Sequence, residues 1–295
     1  MANKIFNKAA LVINTHSKRG DKLFFNVLDM FDARDFKFFA TFAVRKPKKL
    51  KKIINDLCED GCDLIIIGGG DGTISSVIHN FAHKDITLGI LPLGTANSFT
   101  RTLNIPLDIR EAVNSIVDGK VIKVDLGKIN NTYFSNSANI GFSALVAKYA
   151  NKNLKRMFGV PGYFLGSIKP FMAHKYFEVK FIEGKTITKM KVVDIYITNG
   201  QFHGSVVMVP DAKLNNRALN VIAIKGISKI DWLKGWYSIL RKSQKEMNNI
   251  EIFQTQKMVI ETLPRKTVDI DGEIAMKTPI TISVEPQSLN VIVPN

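Results

Sequence analysis

Short apolar runs alternate with segments of helical period over the first hundred residues. Residues 9–14 form a β-branched apolar run, followed by the turn-like Thr15-His-Ser-Lys-Arg-Gly20. Apolar positions recur at helical spacing over 22–31. Residues 36–44 read as a strand, and 47–60 as a helix opened by Pro47 and closed by Gly61. Residues 63–67 are apolar without a break, the mark of a strand buried on both faces. They run straight into Gly68-Gly-Gly-Asp71-Gly-Thr73. A helix over 74–82, a strand over 87–91 and a turn leading into a helix over 94–103 complete a β-α-β-α-β order. That order implies a doubly wound, mostly parallel α/β sheet. Such sheets bind ligands at the carboxyl ends of their strands, where the loops at 68–73 and 92–97 both fall.

The texture changes after Asp125. Short β-rich stretches at 132–136, 177–182, 192–198, 218–224, 251–260, 267–270 and 280–284 are separated by turns such as Glu183-Gly184 and Asp271-Gly272. They predict a mainly antiparallel second domain, interrupted by helical segments at 144–174 and 229–247. The expected division is an α/β domain over 1–124 and a β-rich domain over 125–295, with the last few residues free to return to the first. There is no internal repeat and no low-complexity tract.

The composition, 45% hydrophobic and 23% charged over 295 residues, is that of a globular chain with a sizeable core. No apolar run approaches the ~18 to 20 residues that cross a bilayer. Residues 9–13 are too few for the apolar region of a signal peptide, and no small-residue cleavage site follows, so a cytoplasmic protein is expected. Cys58 and Cys62 lack CxxC spacing and a second pair, which excludes a zinc site; they read as half-buried thiols on one helical face. The histidines show no HExxH spacing. The net charge of +15 is more informative. Between residues 145 and 245 there are 18 basic against 5 acidic side chains. A field of that sign attracts nucleic acid or an anionic membrane surface, and charge alone does not choose between them.

The loop at 68–73 carries the strongest chemical signal. Glycines let the backbone approach phosphate oxygens with its N–H groups turned toward them, and an acid inside such a loop suits a divalent cation accompanying the phosphates. A tight strand-to-helix turn would account for one or two of these glycines. The loop is neither a Walker A motif nor a dinucleotide GxGxxG pattern. A second loop, Leu91-Pro-Leu-Gly94-Thr95-Ala-Asn97-Ser-Phe-Thr-Arg101, ends at Asn104-Ile-Pro106.

Taken in order, these two loops resemble the diacylglycerol kinase catalytic-domain family, shared with sphingosine and ceramide kinases and YegS-like bacterial lipid kinases. The resemblance runs the length of the chain. Asn14-Thr-His-Ser17 resembles the family's first phosphate-side loop, with Thr15 in place of the usual proline. Val124-Asp125-Leu-Gly127, Asn139-Ile-Gly141-Phe142, Pro210-Asp211-Ala-Lys-Leu214 and Asp271-Gly272-Glu273 resemble later family segments. It implies a kinase with an α/β nucleotide-binding domain, a β-rich lipid-acceptor domain and an active site in the cleft, using ATP and Mg²⁺. Gly69, Gly70, Gly72, Thr73, Gly94, Thr95 and Asn97 are then expected at the nucleotide phosphates, with Asn14 and Ser17 lining the same pocket. Asp71 would position Mg²⁺ and the phosphates. Asp271 would be the general base, and Glu273 and Asp125 would complete an acidic, water-linked Mg²⁺ network. The plain alternative for Asp271 is a hairpin turn, since Asp-Gly is a common signal for one. One departure stands out: Asn215, Asn216 and Asn220, with Arg217 beside them, occupy positions where aspartates and a glycine are usual. A second metal site there is expected to be degenerate.

Two features bear on partners. Trp232, Trp236, Ile239 and Leu240 share one helical face among basic residues, which fits either an interfacial membrane helix or an amphipathic helix packed on its own sheet. Arg45-Lys-Pro-Lys-Lys-Leu-Lys-Lys52 is a basic run at a helix start. The function expected from the resemblance is ATP-dependent phosphorylation of a lipid hydroxyl, diacylglycerol or a similar lipid, at the inner face of the membrane. Alternatives are a sphingoid-base kinase, an NAD kinase with its similar glycine loop, and a weakly catalytic binder of anionic lipid or nucleic acid. Nucleic acid is disfavoured because aromatics interleaved with basic residues are sparse. A homo-oligomer is compatible with the chain.

Overall fold

The computed structural model describes residues 6–15, 20–141, 175–204, 206–241 and 248–295. The chain forms two compact units: Met1–Leu126 with Lys213–Asn216 and Glu285–Asn295, and Gly127–Ala212 with Arg217–Val284.

In the first unit β1 (Ala9–Asn14) lies between β2 (Ala40–Val44) and β3 (Leu64–Gly69), parallel to both. Strand β4 (Thr87–Pro92) runs parallel to β3, and Asn290 and Val291 of the last strand run parallel to β4. Every residue of β3 and β4 is buried, as parallel strands covered on both faces require. The helices are α1 (Gly20–Asp32), α2 (Leu50–Glu59), α3 (Asp71–Val77), α4 (Ser98–Thr102) and α5 (Ile109–Asp118). Buried Leu50, Ile54 and Leu57 give α2 its single apolar stripe. The strand expected from residue 36 starts only at Ala40. Phe36 and Phe38 turn instead onto Phe31 of α1, with ring centroids 5.3 and 5.0 Å away. Helix α5 and β5 (Lys120–Ile129) were not expected from the sequence. Helix α5 is opened by Asp108, whose carboxylate accepts the N–H of Glu111.

The second unit is a β-sandwich of antiparallel pairings. Its strands include β6 (Thr132–Phe134), β7 (Ser137–Gly141), β8 (Phe177–Glu183), β9 (Thr186–Thr198) and β12 (Leu219–Lys225), with the short β10 (Phe202–His203) and β11 (Val206–Val207) between the last two. The first half of β9 pairs with β8, and its second half with β7 and β12. In β8 the buried Phe177, Val179 and Phe181 alternate with the exposed Glu178 and Lys180. The buried side chains join Phe134, Ile197, Val221, Ile260 and Ile282 in one apolar core. The single strand expected over 251–260 is two: β13 (Ile250–Thr255) pairs with β12, while β14 (Lys257–Leu263) pairs with β8. The chain turns a corner at Gln256, whose carbonyl accepts the N–H of Val284. Strands β15 (Thr267–Ile270) and β16 (Glu273–Lys277) follow, and β17 (Ile280–Val293) extends well past the expected end at 284.

Helix α6 (Lys229–Leu240) settles which face of the tryptophan helix is buried. Trp232, Trp236 and Ile239 pack on Tyr196, Ile222 and Ile224 of the second unit, and the Trp232 indole donates to Asp194 at 3.1 Å. The tryptophan face is therefore a core face, not a membrane face. Gly235 permits the close fit, because a Cβ there would lie 2.5 Å from Ile224 Cγ2. The expected helix over 144–174 and the continuation through 242–247 lie outside the described residues, and the Leu240 side chain is likewise outside them. The cysteines do not share a helical face either: α2 ends at Glu59, and Cys62 falls beyond Gly61 on the approach to β3. Burial pushes both thiols above the usual cysteine range. Among the described residues no helix is long and apolar enough to cross a membrane.

Ser228 and Asp231 form a reciprocal cap at the start of α6. Ser228→Ala is expected to lower stability by about 1 kcal/mol in urea unfolding at neutral pH. The Ile227 N–H and then the Ser228 hydroxyl hold the Asp231 carboxyl below its ordinary value. Its contribution is thus present above the unfolded pKa and lost as pH falls through the lower folded one. The gap between parent and variant should narrow below about pH 3.9.

Candidate active site

Strand β3 delivers Gly69 and Gly70 to the start of α3, and β4 delivers Gly94. The two loops touch backbone to backbone. A Cβ on Gly94 would lie 2.4 Å from Gly70 Cα, and one on Gly70 would lie 2.9 Å from Gly94 Cα. The Leu93 N–H donates to the Gly69 carbonyl at 3.0 Å. Asn97, at a left-handed φ of 49°, accepts the Gly94 N–H at 3.0 Å and donates its amide to the Gly94 carbonyl at 2.9 Å. Asp71 binds the second loop to the first: its carboxylate accepts from the Ser98 hydroxyl at 3.2 Å and the Phe99 N–H at 3.3 Å. Asn14, at the end of β1, donates to Thr73 Oγ1 at 3.0 Å. A Cβ on Gly69 would collide with Thr73. Gly72 differs from these glycines, for nothing lies within 4 Å of where its Cβ would be. Gly94 and Thr95 of the second loop are exposed. Asn14, Gly69, Gly70, Asp71, Gly72, Thr73, Gly94, Thr95 and Asn97 thus fall at one edge of the parallel sheet. Ser17 lies outside the described residues.

Asp125 is 1% exposed and works as a bracket. Its carboxylate accepts the Gln287 N–H at 2.9 Å, and its own N–H donates to the Leu214 carbonyl at 2.6 Å. It therefore joins the three separate chain segments of the first unit. Glu273 opens β16, but its side chain is outside the described residues. Among the described residues no three acids, histidines or cysteines converge as a metal site. Asn215 and Asn216 are exposed, whereas Asn220 is buried within β12, opposite Thr198 and Gln254.

Asp271 sits between β15 and β16 at a φ of 48°. Its carboxylate is gripped by successive backbone amides: those of Ser135 at 3.1 Å, Asn136 at 3.3 Å and Ser137 at 3.0 Å, together with the Ser135 hydroxyl at 3.3 Å. Two of these donors address each oxygen. Ser137 Oγ lies 2.8 Å from His203 Nδ1, so His203 sits one residue removed from this grip. Ser135, Asn136, Ser137 and His203 were not singled out from the sequence. The run Ser135-Asn-Ser-Ala-Asn139 was the available signal, since small polar residues are unusual in a buried strand.

Residues 8–129 match the family model described as the diacylglycerol kinase catalytic domain, and residues 136–293 the one described as the YegS C-terminal NAD kinase beta sandwich-like domain. The chain belongs to the diacylglycerol kinase family. A Staphylococcus aureus protein named "putative lipid kinase" is 32% identical over 79% of this chain and 78% of its own length. A Staphylococcus carnosus protein of the same description is 28% identical over 80% of this chain and 79% of its own. The crystal structure of a Bacillus anthracis protein titled a "putative diacylglycerol kinase" superposes with a TM-score of 0.83 at 28% identity, covering 99% of this chain and 97% of that one. A second from the same organism gives a TM-score of 0.80 at 26% identity, covering 99% and 98%. Membership of this kinase family fits a chain whose glycine loops and acidic brackets occupy the family's motif positions.

The two kinds of glycine should separate experimentally. Gly94→Ala drives a methyl into immovable backbone and is expected to lower stability by about 1–3 kcal/mol in urea unfolding. Gly72→Ala meets open space and should leave stability unchanged or raised by up to ~1 kcal/mol.

Proposed function

We propose that this protein transfers the γ-phosphoryl group of ATP to the hydroxyl of a membrane lipid, diacylglycerol or a close relative. The observation that carries the reading is the division of labour among the glycines. Gly69, Gly70 and Gly94 are needed for the loops' own packing, whereas Gly72 is kept bare where the protein itself places nothing. A first-turn glycine facing open space at a helix start suits a phosphate. The side-chain donors expected there are Thr73, Thr95 and Asn14. Magnesium, when bound with the nucleotide, supplies neutralisation of phosphate charge. Asp71 is the loop acid that would hold it, with Asp125 and Glu273 the further acids that the family resemblance assigns.

Phosphoryl transfer asks mainly for positioning and for somewhere to put the acceptor's proton. Asp271 takes that proton in this reading. Of the donors named above, three are backbone amides and cannot turn away; the Ser135 hydroxyl can rotate. A lipid hydroxyl taking that place donates to Oδ2 and gives up its proton there as its oxygen bonds to phosphorus and the bond to ADP breaks. The acceptor therefore needs a free hydroxyl, which diacylglycerol supplies.

Purified protein incubated with labelled ATP, Mg²⁺ and mixed micelles of diacylglycerol should give labelled phosphatidic acid in the organic phase. Sphingosine and NAD, run in parallel, identify a different acceptor if label appears there instead; label in none of the three sinks the kinase reading. Asp271→Asn should lower turnover by ~10²–10⁴-fold with ATP affinity unchanged. Because the asparagine amide would also confront the backbone donors, Ser135→Ala serves as companion. It keeps the three amides and should hold turnover within roughly tenfold.

A further inference from the structure

With its tryptophan face buried, α6 still presents a second apolar face, and that face is open. Ile230, Leu233 and Tyr237, at i, i+3 and i+7, are 62%, 51% and 58% exposed. Ile227, just before the helix, is 63% exposed, and Tyr176 is 43% exposed. These five are half of the ten large exposed hydrophobic residues among the described ones. Tyr176 and Ile227 line one cavity of about 330 Å³ together with Lys175, Val193, Ser228 and Lys229, at the start of the helix that carries the other three. Solitary exposed hydrophobics are ordinary, whereas a clustered set rimmed by charge marks an interaction site.

The rim is basic. Lys229 borders one side of the Ile230–Leu233–Tyr237 stripe, and Lys234 and Arg241 border the other. Arg241 lies against the Tyr237 ring at 5.5 Å and donates to its hydroxyl at 2.7 Å, and Lys191 lies 5.6 Å from the Tyr176 ring. The helix's one acid, Asp231, is turned into its cap, accepting from the Ile227 and Ser228 N–H groups and the Ser228 hydroxyl. We propose that this face of the second unit docks on an anionic lipid bilayer. Ile227, Ile230, Leu233 and Tyr237 enter the boundary between headgroups and acyl chains, and the lysines and Arg241 meet lipid phosphates. An aliphatic stripe with a tyrosine, flanked by long cationic side chains that reach outward, is the arrangement that such a boundary selects. A protein partner offering acidic residues would not reward the four adjacent aliphatic and aromatic tips in the same way. The proposal gives the lipid kinase reading its means of reaching substrate but does not depend on turnover.

The test is co-sedimentation, without nucleotide, with vesicles of phosphatidylcholine alone and of equimolar phosphatidylcholine and phosphatidylglycerol. Binding should be confined to the mixed vesicles and fall with salt, because screening shortens to ~8 Å at physiological ionic strength. Ile230→Gln with Leu233→Gln, and separately Lys229→Gln with Lys234→Gln, should each weaken binding by about tenfold or more. Ile230, Leu233 and Lys234 are exposed and Lys229 is half-buried, so thermal unfolding of the apolar pair should match the parent and is measured for both pairs. Equal binding to the two vesicle types overturns the proposal, as does undiminished binding by both variants. A parent dimer that the apolar pair converts to monomer, with vesicle binding intact, assigns the face to a second copy instead and also overturns it. Turnover of a short-chain, water-soluble diacylglycerol should be unaffected by either pair. Failure of that turnover in the parent would count against the kinase reading alone.

Discussion

Two loops can share one place only if neither has side chains at the point of contact. Gly70 and Gly94 meet at that point, and their neighbours are arranged around it. With the backbones in contact, Asn97 is forced into the left-handed region to clamp Gly94, and Asp71 comes within reach of the first turn of α4. The parallel sheet serves this contact from behind. Strands β3 and β4 are adjacent and in register, so their carboxyl ends deliver both glycine loops to the same edge. That placement is what a phosphate-binding surface on such a sheet requires.

The acids at the motif positions share a structural habit. Asp71 holds the amide of Phe99, Asp125 that of Gln287, and Asp271 those of Ser135, Asn136 and Ser137. Each carboxylate closes a gap between chain segments far apart in sequence. Backbone N–H groups aimed at an ionised oxygen make strong hydrogen bonds, so each bracket is stiff. Removing any of these charges disturbs local structure, so a loss of activity alone would not assign the residue a chemical role. The Ser135 hydroxyl differs from the amides around Asp271 in being able to rotate.

The first unit was readable in the sequence where hydrophobicity was continuous. The unbroken apolar run into the loop at 68–73 identified β3, and the second glycine loop followed β4 as expected. Phe36 and Phe38 misled because aromatic residues favour strands but pack equally well against a helix, here at Phe31. Helix α5 was missed although Asp108, three residues before Glu111, is a helix-start signature. The tryptophan helix was recognised as amphipathic, but periodicity gives the faces of a helix and not what covers them. Both tryptophans pack inward by bulk, Trp232 also through its hydrogen bond to Asp194, leaving the aliphatic face outside. The grip on Asp271 was hard to read because it is made largely of backbone amides, which every residue has, with only the small polar run at 135–139 to mark it.

Strand β17 belongs to both units. Its start, through Ser283, pairs with β14 in the second, whereas Asn290 and Val291 lie beside Thr87 and Leu88 in the first. On a ribosome adding 5–20 residues per second, the roughly 200 residues between these partners take about ten to forty seconds to appear. Throughout that time β4 has an open edge, and a parallel edge strand of buried character is a template for the wrong neighbour. Nor can the segment at Gln287 reach the Asp125 carboxylate before then. The unit whose synthesis begins first is the one whose folding is completed last, and a nascent chain stalled anywhere in the β-sandwich carries an unfinished first unit.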